Sequence, residues 1–80
     1  MNTQTQYHIK FAGIDYFDRA VFVTTDGRLY FKSLELMPQP DFCALSMEEK
    51  ESLLRTLCDT DDFEGEPGYP VHRENVVLVE

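Results

Sequence analysis

Residues 19–36 read RAVFVTTDGRLYFKSLEL, and this stretch decides the fold. Two β-rich runs flank Asp26-Gly27, a dipeptide that favours a two-residue hairpin turn of type I′, in which both central residues have positive φ. A turn of this length also fixes the register of the two strands. The predicted pairs are Thr25 with Arg28, Thr24 with Leu29, Val23 with Tyr30 and Phe22 with Phe31.

The register sorts the hairpin side chains onto two faces of a sheet. The predicted core side carries Phe22, Leu29 and Phe31. The other side carries Val21, Val23 and Tyr30. Because this second side is too apolar for an ordinary solvated surface, we expect either a loop or a partner to cover it.

A capping box places the helix. Ser46 is a good N-cap and Glu49 follows it by three positions, so a helix is predicted from residue 47 to 58. Its predicted apolar face consists of Met47, Leu53, Leu54, Leu57 and Cys58. Residues 59–70 then lack a periodic pattern and are predicted to form a long acidic loop.

The remaining strands complete the fold class. Residues 7–11 alternate apolar and polar side chains, which is typical of a half-buried strand. Residues 14–18 either extend that strand past a bulge or connect it to the next one, and residues 76–79 form a closing strand. The sequence therefore predicts one α+β domain over residues 1–80, with residues 1–6 flexible. One helix packs on a three-to-four-stranded antiparallel or mixed sheet in the order β-β-β-α-β.

The acidic residues are concentrated in one part of the chain. Residues 1–40 carry four acidic and four basic residues, whereas residues 41–66 carry nine acidic and two basic ones. The formal net charge of −8 disfavours direct binding to nucleic acid, because such binding depends on Lys and Arg neutralising phosphates. This acidity either serves solubility alone or binds a basic partner.

The carboxylates of the predicted helix and loop are the candidate partner-binding groups. Asp59, Asp61 and Asp62 would lie at or just beyond the negative end of the helix dipole, where they repel it and each other. A basic partner would relieve that repulsion. The full candidate set is Glu48, Glu51, Asp59, Asp61, Asp62, Glu64 and Glu66.

Two aromatic residues lie within or beside these carboxylates. Phe63 and Tyr69 either anchor a partner, as aromatic side chains often do at interfaces, or pin the loop to the core. The pinning role is favoured for Phe63.

The sequence offers no motif for metal binding or catalysis. Residues 59–64, DTDDFE, begin like a calcium loop, but Phe63 and Glu64 stand where an EF-hand has an oxygen ligand and a glycine. The cysteines and histidines lack the spacing of zinc ligands. We therefore predict no metal, no cofactor and no enzymatic activity.

The cysteines and the polar N-terminal residues indicate the cellular compartment of the protein. A helix between Cys43 and Cys58 would hold them about 15–20 Å apart, which is too far for a disulfide unless the segment before the helix folds back along it. No signal-peptide pattern is present, and no apolar run approaches the roughly 20 residues that span a bilayer. We therefore expect reduced thiols, a cytoplasmic location and no membrane partner.

The overall profile resembles a known class of proteins. A small, acidic α+β chain with its acidity on one helix and loop resembles the inhibitor proteins of phages and mobile elements, including anti-CRISPR proteins and other DNA mimics. The resemblance implies a non-enzymatic inhibitor that binds the basic, nucleic-acid-binding surface of a host complex such as a CRISPR effector. It also implies the host cytoplasm as the location.

An interaction module is the alternative. The apolar sheet side with Val21, Val23 and Tyr30 would then be the contact surface, and the chain would form a homodimer or bind a partner in a way that salt does not weaken.

Overall fold

The structure is a computed structural model that describes residues 6–79, and it contains one α-helix and five strands. The elements are β1 (Tyr7–Ile14), β2 (Arg19–Thr24), β3 (Tyr30–Leu36), α1 (Met47–Arg55), β4 (Leu57–Thr60) and β5 (Val76–Leu78), with short 3-10 helices at Phe42–Ala44 and Arg73–Asn75. The strand order in the sheet is β4-β3-β2-β1-β5, and only the β1–β5 pair is parallel. The α+β class is confirmed, whereas the predicted order β-β-β-α-β lacks one strand, which is β4.

The hairpin forms in the predicted register but with a different turn. Phe22 pairs with Phe31 and Val23 pairs with Tyr30, as expected. Gly27 has φ +78°, but Asp26 does not share the positive φ that a type I′ turn requires. Instead, the backbone N–H of Gly27 donates to the carbonyl of Thr24 at 2.8 Å. The predicted pairing of Thr25 with Arg28 is therefore wrong, and the N–H of Thr25 donates to the carbonyl of His8 in β1.

β1 is longer than the strand predicted over residues 7–11. It continues to Ile14 through a bulge between Phe11 and Gly13, which was one of the two alternatives for this region. Gly13 adopts φ +148° there, a conformation that other residues rarely adopt. Residues 15–18 then form the turn into β2.

The capping box is present at the start of α1. The backbone N–H of Glu49 donates to the hydroxyl of Ser46 at 3.1 Å, and the N–H of Ser46 donates to the Glu49 carboxylate at 2.9 Å. The helix ends at Arg55, three residues before the predicted end, and Thr56 caps it. Met47 lies at its exposed start with 86% of its surface accessible, so its predicted place on the apolar face is wrong.

β4 replaces the last predicted turn of the helix and the start of the predicted loop. Ser33 pairs with Leu57 and Lys32 pairs with Cys58, so β4 completes the edge of β3. Because strand side chains alternate, Leu57 enters the core while Cys58 points to the opposite face. Helical spacing fits both residues equally well, but pairing with β3 satisfies backbone groups that a longer helix would leave unpaired.

The sheet has two differently covered faces. We call the face that packs on α1 the core face and the opposite one the loop face. The core cluster comprises Ile9, Ala20, Phe22, Phe31, Phe42, Leu45, Leu53, Leu54, Leu57 and Val76. Leu29, predicted on the core side, is 46% exposed because it lies beyond the end of the ladder. The loop face carries Val21 together with its two pairing partners, Gly13 and Lys32.

Residues 1–5 of the segment predicted to be flexible lie outside the described residues. Gln6 is described, and its side-chain amide donates to the carbonyl of Glu74 at 3.4 Å. Within residues 6–79, no helix has the length and apolar character needed to cross a membrane.

Candidate functional site

The predicted carboxylates do not lie on one surface. Glu48 and Glu51 are on α1, which packs on the core face. Asp61, Asp62, Glu64 and Glu66 belong to a loop that crosses the loop face, and we call residues 61–66 the acidic loop. Asp59 lies in β4, at the edge of the sheet. The sheet therefore separates the helix carboxylates from those of the acidic loop.

Glu51 is engaged within the chain. Its carboxylate accepts two hydrogen bonds from the Arg73 guanidinium, at 2.6 and 3.0 Å, and lies 3.5 Å from Nε of Arg55. Hydrogen bonding from Arg73 is the main cause of a lowered pKa of Glu51, against a weaker upward effect of burial. Since Arg73 also donates to the carbonyl of Val76 at 2.9 Å, this pair ties β5 to α1.

Asp59 also has a structural contact. Its carboxylate accepts from the backbone N–H of Tyr69 at 2.8 Å, and its carbonyl accepts from the N–H of Gly68 at 2.7 Å. The N–H of Val71 donates to the carbonyl of Leu57 at 2.9 Å. The segment 68–71 thus covers the outer edge of β4, which would otherwise expose unpaired backbone groups.

Residues of the loop face of the sheet hold the acidic loop in place. The buried ammonium of Lys32 donates to the carbonyl of Gly65 at 2.7 Å. Phe63 is half-buried against Gly13, where a Cβ would come within 2.9 Å of its ring. The contact favours the pinning role for Phe63. Asp61 and Asp62 remain exposed at the surface of the loop.

Asp15, which directly follows β1, forms an ion pair with the same Lys32 ammonium. Its carboxylate lies 2.8 Å from Nζ of Lys32 and 3.0 Å from Nε of Arg19, and both the Asp15 and Lys32 side chains are fully buried. Burial would raise the pKa of Asp15. The hydrogen bonds from Lys32, from the backbone N–H groups of Arg19 and Phe17, and from the Arg19 side chain reverse this effect and lower the pKa to about 2. Asp15 is therefore ionised at neutral pH and compensates the buried lysine.

The turn between β1 and β2, residues 15–18, presents two exposed aromatic side chains, and we call it the aromatic turn. Tyr16 is 88% exposed and Phe17 is 64% exposed. The backbone N–H of Tyr16 donates to the Glu64 carboxylate at 3.1 Å, which places the turn directly beside the acidic loop. Sequence reasoning did not select these residues, because an aromatic pair in a turn is as consistent with burial as with exposure.

The apolar sheet side proposed as an alternative contact surface is largely covered. Val21 is fully buried, Val23 is buried and Tyr30 is half-buried. The acidic loop lies over this side at Gly13 and Lys32. Of the two predicted kinds of cover, a loop or a partner, the loop is the one found here. Val21 and Val23 consequently offer no surface for a partner.

The cysteines and histidines form no cluster. Cys43 is exposed and Cys58 is buried, and both are free thiols. Burial and, to a lesser extent, the charge of Asp59 raise the pKa of Cys58. Among the residues that the structure describes, no group of three His, Cys, Asp or Glu side chains is arranged to hold a metal ion.

The acidic loop and the aromatic turn together form a composite surface at one end of the loop face. Lys32 joins them, since its ammonium contacts both the Asp15 carboxylate and the Gly65 carbonyl. No family model, curated protein or solved structure matches this chain. The composite surface is thus defined by its geometry and charge.

Proposed function

We propose that this protein is a non-enzymatic inhibitor that binds the basic, nucleic-acid-binding surface of a host protein complex, such as a CRISPR effector, through its acidic loop. The observation that carries the proposal is the anchoring of this loop. Its exposed carboxylates belong to a segment that the buried Lys32–Asp15 pair holds at the Gly65 carbonyl, so they are positioned before a partner binds.

The anchoring matters because binding is stronger when charged groups are already positioned. A mobile acidic segment would lose conformational freedom on meeting a partner, whereas a loop fixed at Phe63 and Gly65 loses less. The loop carries four acidic residues and no basic residue between positions 61 and 66. Their mutual repulsion is relieved when Lys and Arg side chains of a partner approach.

The acidic loop is favoured over the helix as the binding surface. The two sets of carboxylates lie on opposite faces of the sheet, so one flat partner surface contacts only one of them. Glu51 is already paired with Arg73 and Arg55, and Asp59 caps the segment that covers β4. Glu48 remains exposed and serves as a reference position on the other face.

Capture from the native host at low and high salt tests the proposal. The immobilised protein should retain a nucleic-acid-binding protein at low salt, release it at high salt, and release it when DNA or RNA is added. The double variant Asp61→Asn/Asp62→Asn should weaken this capture, because it removes two charges without shortening the side chains.

The matched control is the double variant Glu48→Gln/Glu74→Gln. It removes the same charge from two exposed residues outside the acidic loop. It should capture the partner as the unmodified protein does. Equal capture by both variants, or capture that nucleic acid does not release, would overturn the proposal.

A further inference from the structure

The exposed aromatic residues of the turn need an explanation that charge does not supply. Tyr16 and Phe17 are large and lie mostly in solvent, where their apolar surface is unfavourable. They adjoin the acidic loop, because the carboxylate of Glu64 accepts from the N–H of Tyr16 at 3.1 Å. One surface thus combines carboxylates with protruding rings.

The turn is fixed in the conformation that presents these rings. One oxygen of Asp15 accepts the N–H groups of Phe17 and Arg19, each at 2.9 Å. Asp18 adopts a left-handed φ of +62°, and the guanidinium of Arg19 lies over the Phe17 ring at 5.0 Å. The buried Asp15 carboxylate therefore holds the backbone of the turn, and the Arg19 guanidinium lies against the Phe17 ring, so the turn presents both residues from a fixed backbone.

Two classes of nucleic-acid-binding surface differ in whether they complement both the exposed rings and the negative charge of this protein. A surface that holds duplex DNA by its backbone offers mainly cationic groups to phosphates, because the bases are stacked inside the duplex. A surface that holds a single strand offers cationic groups to phosphates and also aromatic or apolar side chains on which unstacked bases lie. The second class therefore offers aromatic side chains against which Tyr16 and Phe17 can stack.

From this combination we infer that the partner surface is one that binds single-stranded nucleic acid, with Tyr16 and Phe17 occupying the positions of bases and the acidic loop those of phosphates. This inference rests on the proposed function and names the class of partner. The charge of the loop is complementary to the cationic groove, and the rings are complementary to its stacking side chains.

Competition with two labelled probes tests the inference. The partner captured as described above is loaded with a fluorescent single-stranded oligonucleotide or with a fluorescent duplex of the same sequence, and fluorescence anisotropy follows displacement by this protein. The unmodified protein should displace the single strand. The variants Tyr16→Ala and Phe17→Ala should each need about 10-fold more protein for the same displacement, the usual effect of losing one stacking contact.

Met47→Ala is the matched control, because Met47 is also a large exposed apolar residue but lies on α1. It should displace the single strand as well as the unmodified protein. The far-ultraviolet circular dichroism of all three variants should be unchanged, since the altered side chains are mostly in solvent.

The outcomes separate this inference from the proposed function. If this protein displaces the duplex but not the single strand from the partner, the single-strand inference is wrong and the proposed function stands. The same holds if Tyr16→Ala and Phe17→Ala act like Met47→Ala while Asp61→Asn/Asp62→Asn weakens binding. If no partner is captured in a manner that nucleic acid reverses, the proposed function fails and this inference fails with it.

Discussion

One oxygen of the Asp15 carboxylate accepts two backbone N–H groups of the aromatic turn, and the other contacts Lys32 and Arg19. Lys32 in turn donates to the acidic loop at Gly65. A single buried carboxylate thus supports both halves of the composite surface.

Asp15→Asn should strongly destabilise the protein. The amide can still accept the backbone N–H groups, but it leaves the buried ammonium of Lys32 without a counter-charge. Removing one member of a buried ion pair typically lowers the free energy of unfolding by about 3–5 kcal/mol. Urea unfolding at neutral pH measures the change. Asp26→Asn removes a charge from an exposed aspartate, and an equal loss in that control would contradict a special role for Asp15.

The same carboxylate should make stability depend on pH in the acid range. The pKa of Asp15 falls from its ordinary value of 3.8 to about 2 on folding, so the unfolded chain takes up the proton first as the pH decreases. The stabilisation is complete above about pH 5 and is lost progressively between about pH 5 and 1, with a total of roughly 2 kcal/mol. Asp26 and Glu51, whose pKa values are also lowered, contribute in the same direction.

A comparison of unfolding between pH 2 and 5 isolates the contribution of Asp15. The difference in stability between the unmodified protein and Asp15→Asn should shrink as the pH decreases. A difference that stays constant over this range would contradict the assignment.

The importance of Asp15 was not predictable from the sequence. It lies seventeen positions before Lys32, and the two meet only because the bulge in β1 and the register of β2 with β3 bring them to the same face. By contrast, local sequence patterns correctly predicted that Phe22 pairs with Phe31 and that both lie in the core. They also correctly predicted the capping box at Ser46 and Glu49.

The contact between β1 and the acidic loop depends on a glycine. A Cβ at position 13 would lie 2.9 Å from the Phe63 ring, and the φ of +148° is itself strained for any other residue. Gly13→Ala should therefore lower the free energy of unfolding by about 1–3 kcal/mol through strain, and further through displacement of Phe63.

A double-mutant cycle separates these two effects. In a Phe63→Ala background the steric contact is absent, so Gly13→Ala should cost less than it does in the unmodified protein. Urea unfolding of the four proteins measures this difference. An equal cost in both backgrounds would show that Phe63 does not pack on Gly13.

The pair of Glu51 and Arg73 is a second contact between elements, since it joins α1 to the 3-10 helix before β5. Glu51→Gln should lower the free energy of unfolding by about 0.5–1 kcal/mol, as expected for a partly exposed ion pair. It should leave partner capture unchanged. Loss of capture without loss of stability would instead show that Glu51 contacts the partner.

β4 shows where sequence reasoning about elements failed. Leu53, Leu54, Leu57 and Cys58 fit one helical face by spacing, so nothing local indicated an end at Arg55. The helix ends at Arg55 because residues 57–60 pair with the open edge of β3, and that edge exists only in the folded sheet. As a consequence, Asp59 lies in β4, and Asp61 and Asp62 follow that strand, so none of them directly follows the helix end where dipole repulsion was predicted.

For the whole molecule, the decisive feature is the distribution of the acidic residues over two faces. The acidic residues are concentrated between positions 41 and 66, but in the folded chain they do not form one surface. The sheet lies between its two parts, and intramolecular contacts engage Glu51 and Asp59. The acidic loop is the part that adjoins exposed aromatic residues.

The salt dependence of the dissociation constant for the captured partner tests whether the acidic loop is the binding surface. The loop variant Asp61→Asn/Asp62→Asn should bind about tenfold more weakly at low salt and show a shallower dependence on salt, because two interfacial charges are gone. Glu48→Gln/Glu74→Gln should match the unmodified protein in both respects. Equal weakening by the two variants would mean that net charge alone governs binding, and this result would contradict a binding surface on the acidic loop.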